Sequence, residues 1–236
     1  MKKKILLLCI LLILLTGCGR KTVHSYKALE KHINKMKVYS KIDGKYYDLN
    51  LKGKYEIIDK NEYKYEKDNK QRKHREITVK IKDNDMDFTV FSDYGCEFDF
   101  DGCQIYGYII QDNYSEKANE YYSQKYVEQF GNTRQLCEAD HYCHISSKKD
   151  LDDAINYMTS YLDYLNSFDY LTIEPYHYSL SFNDNNIPIN IYLDIKDNKY
   201  CYTYHKNNSG LTAFNNSNEM KEYIESQLNE RNIVLE

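Results

Sequence analysis

The 236-residue chain has no tryptophan, two prolines and nine glycines. So little glycine leaves scant material for loops that cradle phosphate, and neither a G-x-x-x-x-G-K run nor a dinucleotide-binding glycine fingerprint occurs. The G-x-S-x-G nucleophile elbow and the H-E-x-x-H metal motif are missing as well. An excess of positive charge is also lacking, with 32 Lys+Arg against 36 Asp+Glu. With Lys2, Lys3 and Lys4 set aside the balance is 29 against 36, a net charge of −7. That balance excludes nucleic acid as the expected partner, since phosphate binding wants a basic stripe, and argues against polybasic docking on anionic lipid. Long apolar runs are absent beyond Leu15. The one present, Ile5–Leu15, has 11 residues, short of the roughly 20 that span a bilayer as a helix.

What stands at the N-terminus is more specific. Lys2, Lys3 and Lys4 precede the apolar run, and Leu15-Thr16-Gly17-Cys18 follows directly. The stretch resembles a bacterial lipoprotein signal peptide with its lipobox. The resemblance implies a signal peptide over residues 1–17, cleavage before Cys18 and a diacylglyceryl thioether on Cys18. Residues 18–23 then form a lipidated tether, and the mature protein sits on the extracytoplasmic face of the cell membrane. Cys9 is discarded with the leader. Stable anchoring takes two acyl chains, and a diacylglyceryl group supplies both.

The chain is 42% hydrophobic, with 26 Tyr, and its mean hydropathy is −0.77. Such tyrosine use beside scarce Ala, Gly, Pro and Trp is what an AT-rich coding sequence gives, so it is no argument for binding. Aromatics still bury large areas and favour strands, which keeps the chain out of the disordered class. The expected fold class is α+β, antiparallel sheet covered on one face by helices.

Ser25 caps a first helix bearing Tyr26, Leu29, Ile33 and Met36 at helical spacing. Short alternations follow at Tyr47/Leu49/Leu51, Tyr55/Ile57 and Tyr63/Tyr65, and the charged stretch 67–74 reads as an exposed loop. Ile77, Val79 and Ile81, a turn at Asp83-Asn84-Asp85, then Phe88 and Val90 predict a hairpin. A strand over 105–110 and a helix from Ser115 to Gly131, burying Ala118, Tyr122, Tyr126, Val127 and Phe130, complete a first half over 24–132. The second half, 147–236, opens on a helix capped by Ser147 and Asp150, with Leu151, Ile155, Met158, Leu162 and Leu165 in its stripe. Three alternating strands around 176–182, 187–194 and 200–205 follow, then a helix capped near Asn216. Both halves read as helix, three strands, helix. A degenerate duplication and one continuous α+β sandwich are the two arrangements this order allows.

Outside the leader and Cys18, the cysteines are Cys96, Cys103, Cys137, Cys143 and Cys201. In an extracytoplasmic protein the first expectation is disulfide bonding, with Cys96, Cys103, Cys137 and Cys143 forming two bridges and Cys201 left free. Local pairing across the two short loops is the simplest connectivity, and cross-pairing between them is the alternative. The cluster Cys137, His141, Cys143, His144 lacks the two-plus-two spacing of zinc sites. Asp83, Asp85 and Asp87 open like a calcium loop, but Phe88 stands where glycine is required and Tyr94 where the bidentate glutamate belongs. No metal and no cofactor is expected.

The strand pattern puts His177, Asn190, Tyr192 and His205 on the polar face of the second-half sheet. That face is the candidate interaction surface, for a surface protein or a cell-wall glycan. The expected function is a lipid-anchored binding protein without catalysis. The alternatives are a surface hydrolase or thiol enzyme pairing Cys143 or Cys201 with His177 or His205, and a lipoprotein that protects its own cell from a toxin or lysin.

Overall fold

In a computed structural model the described residues are 22–98, 104–131, 142–168, 171–182, 185–205 and 210–236. In chain order the elements are α1 (Tyr26–Ile33), β1 (Lys37–Tyr39), β2 (Tyr46–Asp48), β3 (Tyr55–Lys67), β4 (Lys70–Ile81), β5 (Asp87–Phe98), β6 (Gln104–Asp112), α2 (Tyr114–Phe130), β7 (Tyr142–Ile145), α3 (Lys148–Asn166), β8 (Tyr176–Phe182), β9 (Asn185–Lys196), β10 (Lys199–His205), β11 (Leu211–Ala213) and α4 (Ser217–Glu230). The fold is α+β. The chain divides into two compact units, residues 1–36 with 51–117, and residues 37–50 with 118–236. The helix–three-strand–helix order expected twice becomes helix–four-strand–helix: α1, β3 to β6, α2, and later α3, β8 to β11, α4.

The first unit is an antiparallel meander in the order β3-β4-β5-β6. Helix α1 starts where Ser25 Oγ accepts the Ala28 N–H at 3.2 Å. It buries Leu29 and Ile33, and the core of this unit adds Ile77, Val79, Ile81, Phe88 and Val90. The stretch 67–74 is not a loop. Asp68 and Asn69 hold positive φ (53° and 55°) in a tight turn, and Lys70–His74 is already strand. Charge alone does not separate the two, because a solvated strand carries lysines as readily as a loop does. A register shift between Ile57 and Asp59 breaks the alternation of β3. One extra residue turns every later side chain to the other face. Tyr63 and Tyr65 therefore lie on the face opposite Tyr55 and Ile57.

The second unit holds a sheet in the order β11-β10-β9-β8-β7, and β1 pairs with β2. β7 runs parallel to β8, with α3 as the crossover, and the other pairings are antiparallel. Asp197 and Asn198, at positive φ (51° and 63°), close the β9–β10 hairpin. Helix α3 has the expected capping box: Ser147 Oγ accepts the Asp150 N–H and the Asp150 carboxylate accepts the Ser147 N–H, both at 3.1 Å. Leu151, Ile155, Met158 and Leu165 are buried as expected, with Ala154 and Tyr161 beside them. On α2 the buried stripe is Tyr114, Ala118, Tyr122, Tyr126, each four residues on. Val127 and Phe130 are exposed, contrary to expectation.

Tyrosine builds the interior of this unit. Tyr126 contacts the rings of Tyr157, Tyr161 and Tyr164, and Tyr157 reaches Tyr178, which in turn meets Tyr202. Buried hydroxyls need partners, and those of Tyr200 and Tyr202 find them. Tyr202 donates to the Met158 carbonyl at 2.9 Å, which ties β10 to α3. The Tyr200 hydroxyl accepts the N–H groups of Thr172 (2.8 Å) and Ile173 (2.7 Å) and donates to the Ile173 carbonyl (2.8 Å). Tyr200→Phe leaves two buried N–H donors unpaired, at about 1–3 kcal/mol each. The variant is expected to lose about 2–6 kcal/mol of stability in urea titrations, and an unchanged midpoint would show that this hydroxyl holds nothing.

Candidate functional site

The polar face of the five-stranded sheet is built by period-2 alternation on strands whose other face packs into the tyrosine core. β8 contributes His177, Ser179 and Ser181, β9 contributes Asn190, Tyr192 and Asp194, and β10 contributes Cys201, Thr203 and His205. Cross-strand register sets His177 opposite Tyr192 and Ser179 opposite Asn190. The Tyr192 ring lies between two imidazoles, 5.6 Å from His177 and 5.1 Å from His205 between centroids. Both histidines are exposed and Tyr192 is half-buried. The Ser179 hydroxyl donates to the Asn190 side-chain oxygen at 3.0 Å. All four expected face residues thus meet on one surface. Toward β7, Ser181 shares a 3.2 Å hydrogen bond with His144 Nδ1.

The other end of this face is structural. Asp194 is 1% exposed, and its carboxylate accepts the backbone N–H groups of Lys41 (3.1 and 3.2 Å) and Ile42 (2.9 Å). A single side chain therefore pins the β1–β2 connection onto the sheet. Nothing in the local pattern marks it, because its partners lie some 150 residues earlier in the chain.

Cysteine chemistry is constrained on this unit. Cys143 is fully buried on β7 and engaged in a disulfide. The pairing expected among Cys96, Cys103, Cys137 and Cys143 otherwise rests on side chains outside the described residues, as does lipidation at Cys18. Cys201 is free and half-buried. Burial first, and then the neighbouring Asp194 carboxylate, push its thiol up to about 11. At neutral pH it is a protonated thiol, a poor nucleophile. Cys137 and His141 lie outside the described residues. Among the described residues no three His, Cys, Asp or Glu side chains gather as metal ligands, and no helix is long and apolar enough to cross a membrane.

A second polar and aromatic cluster, missed in the sequence, lies on the four-stranded sheet of the first unit. His74 is sandwiched between Tyr63 (4.7 Å, 20° between planes) and Phe91 (5.5 Å, 23°). Its ring nitrogens face two carboxylates, Glu76 at 3.1 Å and Asp93 at 3.5 Å. The Tyr65 hydroxyl donates to Asp93, and burial together with that carboxylate pushes Tyr65 up to about 12. The Arg72 guanidinium lies 3.5 Å over the Tyr94 ring. The one available signal was the Asp68-Asn69 pair, the same turn dipeptide as Asp197-Asn198. Reading it as a hairpin tip would have set Tyr63 opposite His74.

No family model, curated protein or solved structure matches this chain.

Proposed function

We propose that the protein is a lipid-anchored extracytoplasmic binding protein that docks a surface protein or cell-wall glycan through the polar face of its five-stranded sheet, without catalysis. The observation that carries the reading is the run His177–Tyr192–His205, three rings from three adjacent strands on one face. Half-exposed aromatic and imidazole rings offer flat contact area at low conformational cost, and tyrosine is enriched where proteins meet. The Asn190–Ser179 pair beside them adds hydrogen-bonding edges. Against the thiol-enzyme alternative stand the disulfide at Cys143 and the raised ionisation of Cys201. The lipobox at Leu15–Cys18 supports the address.

The test is retention of the mature protein on isolated cell walls and on detergent-solubilised surface proteins. Tyr192→Glu, and separately Asn190→Asp, are expected to weaken retention about tenfold, about 1.4 kcal/mol, with the fold unchanged by circular dichroism. Equal retention of both variants contradicts the docking face. Turnover of a peptide, glycan, ester or phosphate substrate that vanishes in His177→Ala or His205→Ala would establish the enzyme instead.

A further inference from the structure

The acidic balance of the whole chain hides a local reversal. Residues 60–75 carry seven Lys/Arg against three Asp/Glu, so the remainder of the chain after the leader carries 22 against 33. The structure gathers these cations on the distal half of the β3–β4 hairpin. Lys64, Lys67 and Lys70 are exposed around the Asp68–Asn69 tip, and Arg72 and Lys73 are half-exposed beside them. Tyr63 is 51% exposed among them. Arg75 is already committed, to Glu62 and to the His24 carbonyl, Lys73 pairs with the same Glu62 at 3.2 Å, and exposed Lys67 donates to the Tyr94 carbonyl at 3.0 Å.

His24 is what gives this patch an orientation. Its N–H donates to Ser92 Oγ at 3.1 Å, its ring bonds the Tyr108 carbonyl at 3.0 Å, and its carbonyl accepts from Arg75. It is therefore fastened to the sheet at the level where Glu62, Arg75 and Ser92 pair. From there α1 runs toward the opposite end of the hairpin, where Asn34 accepts a hydrogen bond from Tyr55. Cys18 lies six residues before His24, a reach of at most about 20 Å. From Arg75 to the tip at Asp68 the strand covers about 23 Å. The tether is no longer than the hairpin.

Resting on the reading of Cys18 as the lipid anchor, we propose that the distal β3–β4 hairpin, with Lys64, Lys67, Lys70 and Arg72, is a second membrane contact that lies against anionic phospholipid headgroups. An anchor this short holds His24 within about 20 Å of the bilayer, so a hairpin pointed at the membrane has its tip among the headgroups. Charge favours that orientation, because the basic patch is attracted to an anionic surface. Tyr63 suits the interface, with an apolar ring and a polar hydroxyl.

The lipidated protein is extracted from membranes and reconstituted into phosphatidylglycerol or phosphatidylcholine vesicles, and lysine acetylation is mapped by mass spectrometry. Modification of Lys64, Lys67 and Lys70 is expected to slow about fivefold on phosphatidylglycerol, the effect of roughly one charge contact each. Lys35 and Lys52, exposed at the other end of the unit, are expected to react equally on both. Lys64→Gln with Lys67→Gln is expected to return Lys70 to the phosphatidylcholine rate. If Cys18 carries lipid and the three lysines react equally on both vesicles, the hairpin contact is wrong and the anchor stands. An unmodified Cys18 removes both. Equal slowing by a soluble glycerophosphate polymer on phosphatidylcholine vesicles would overturn lipid as the occupant.

Discussion

Raising the pH from about 9 to 11 is expected to unfold the tyrosine-cored unit steeply. In an unfolded chain a tyrosine hydroxyl ionises near 10. Burial, with the surrounding hydroxyls adding to it, holds Tyr161, Tyr178 and Tyr202 well above that. Their stabilising contribution is complete below pH 10 and drains away above it, because the unfolded state then releases protons that the fold retains. Each such group loses about 1.4 kcal/mol per pH unit. Three of them amount to about 4 kcal/mol at pH 11, against a total stability of about 5–15 kcal/mol for an ordinary domain. Cys201 adds to the fall from a lower pH, since burial moves it from 9.0 to about 11. Urea titrations across this range, with tyrosinate absorbance followed in parallel, check the account. Part of the tyrosinate absorbance, that of the buried hydroxyls, is expected to appear only together with the loss of tertiary signal. Ionisation of all 26 tyrosines in an intact fold would show that these hydroxyls are not sealed from water.

The parts of this fold that announce themselves in sequence are those whose signals are local. The Ser147–Asp150 capping box, the Asn216 cap and the apolar stripe of α3 each fit within a few turns, and each is realised. The hairpins closed at Asp83–Asp85 and at Asp197-Asn198 are legible for the same reason. What stayed hidden depends on distant pairing or on a broken period. β7 forms a strand only because β8, more than thirty residues later, runs parallel beside it. The bulge in β3 reverses its faces, so Tyr55 and Tyr63 look equivalent in sequence and are not. On α2 the pattern named too many apolar positions, and the tyrosine stripe took the core while Val127 and Phe130 stayed in solvent.

The candidate site divides along the same line. His177, Asn190, Tyr192 and His205 could be placed on one face because period 2 holds along each of β8, β9 and β10 where they pair from Tyr176 to Leu180 and from Tyr200 to Thr203. The buried role of Asp194 could not, since it is written in backbone groups at Lys41 and Ile42. Nor could the His74 cluster, because a charged solvated strand and a charged loop look alike in sequence.

Cys18 carries the proposed membrane address. If Cys18 is the acyl acceptor and the cleavage point of the lipobox, Cys18→Ala is expected to abolish lipidation and to leave uncleaved precursor or shed protein. Two acyl chains bind through tens of buried CH₂ groups at about 0.8 kcal/mol each, and no described helix of this chain can replace them. The deciding measurement is the intact mass of the protein recovered from washed membranes, wild type beside Cys18→Ala. The account predicts a wild-type chain beginning at Cys18 and heavier than its sequence by a diacylglyceryl group, and a variant found as uncleaved precursor or shed into the medium. A wild-type chain without lipid, or a Cys18→Ala chain processed and retained like the wild type, would contradict it.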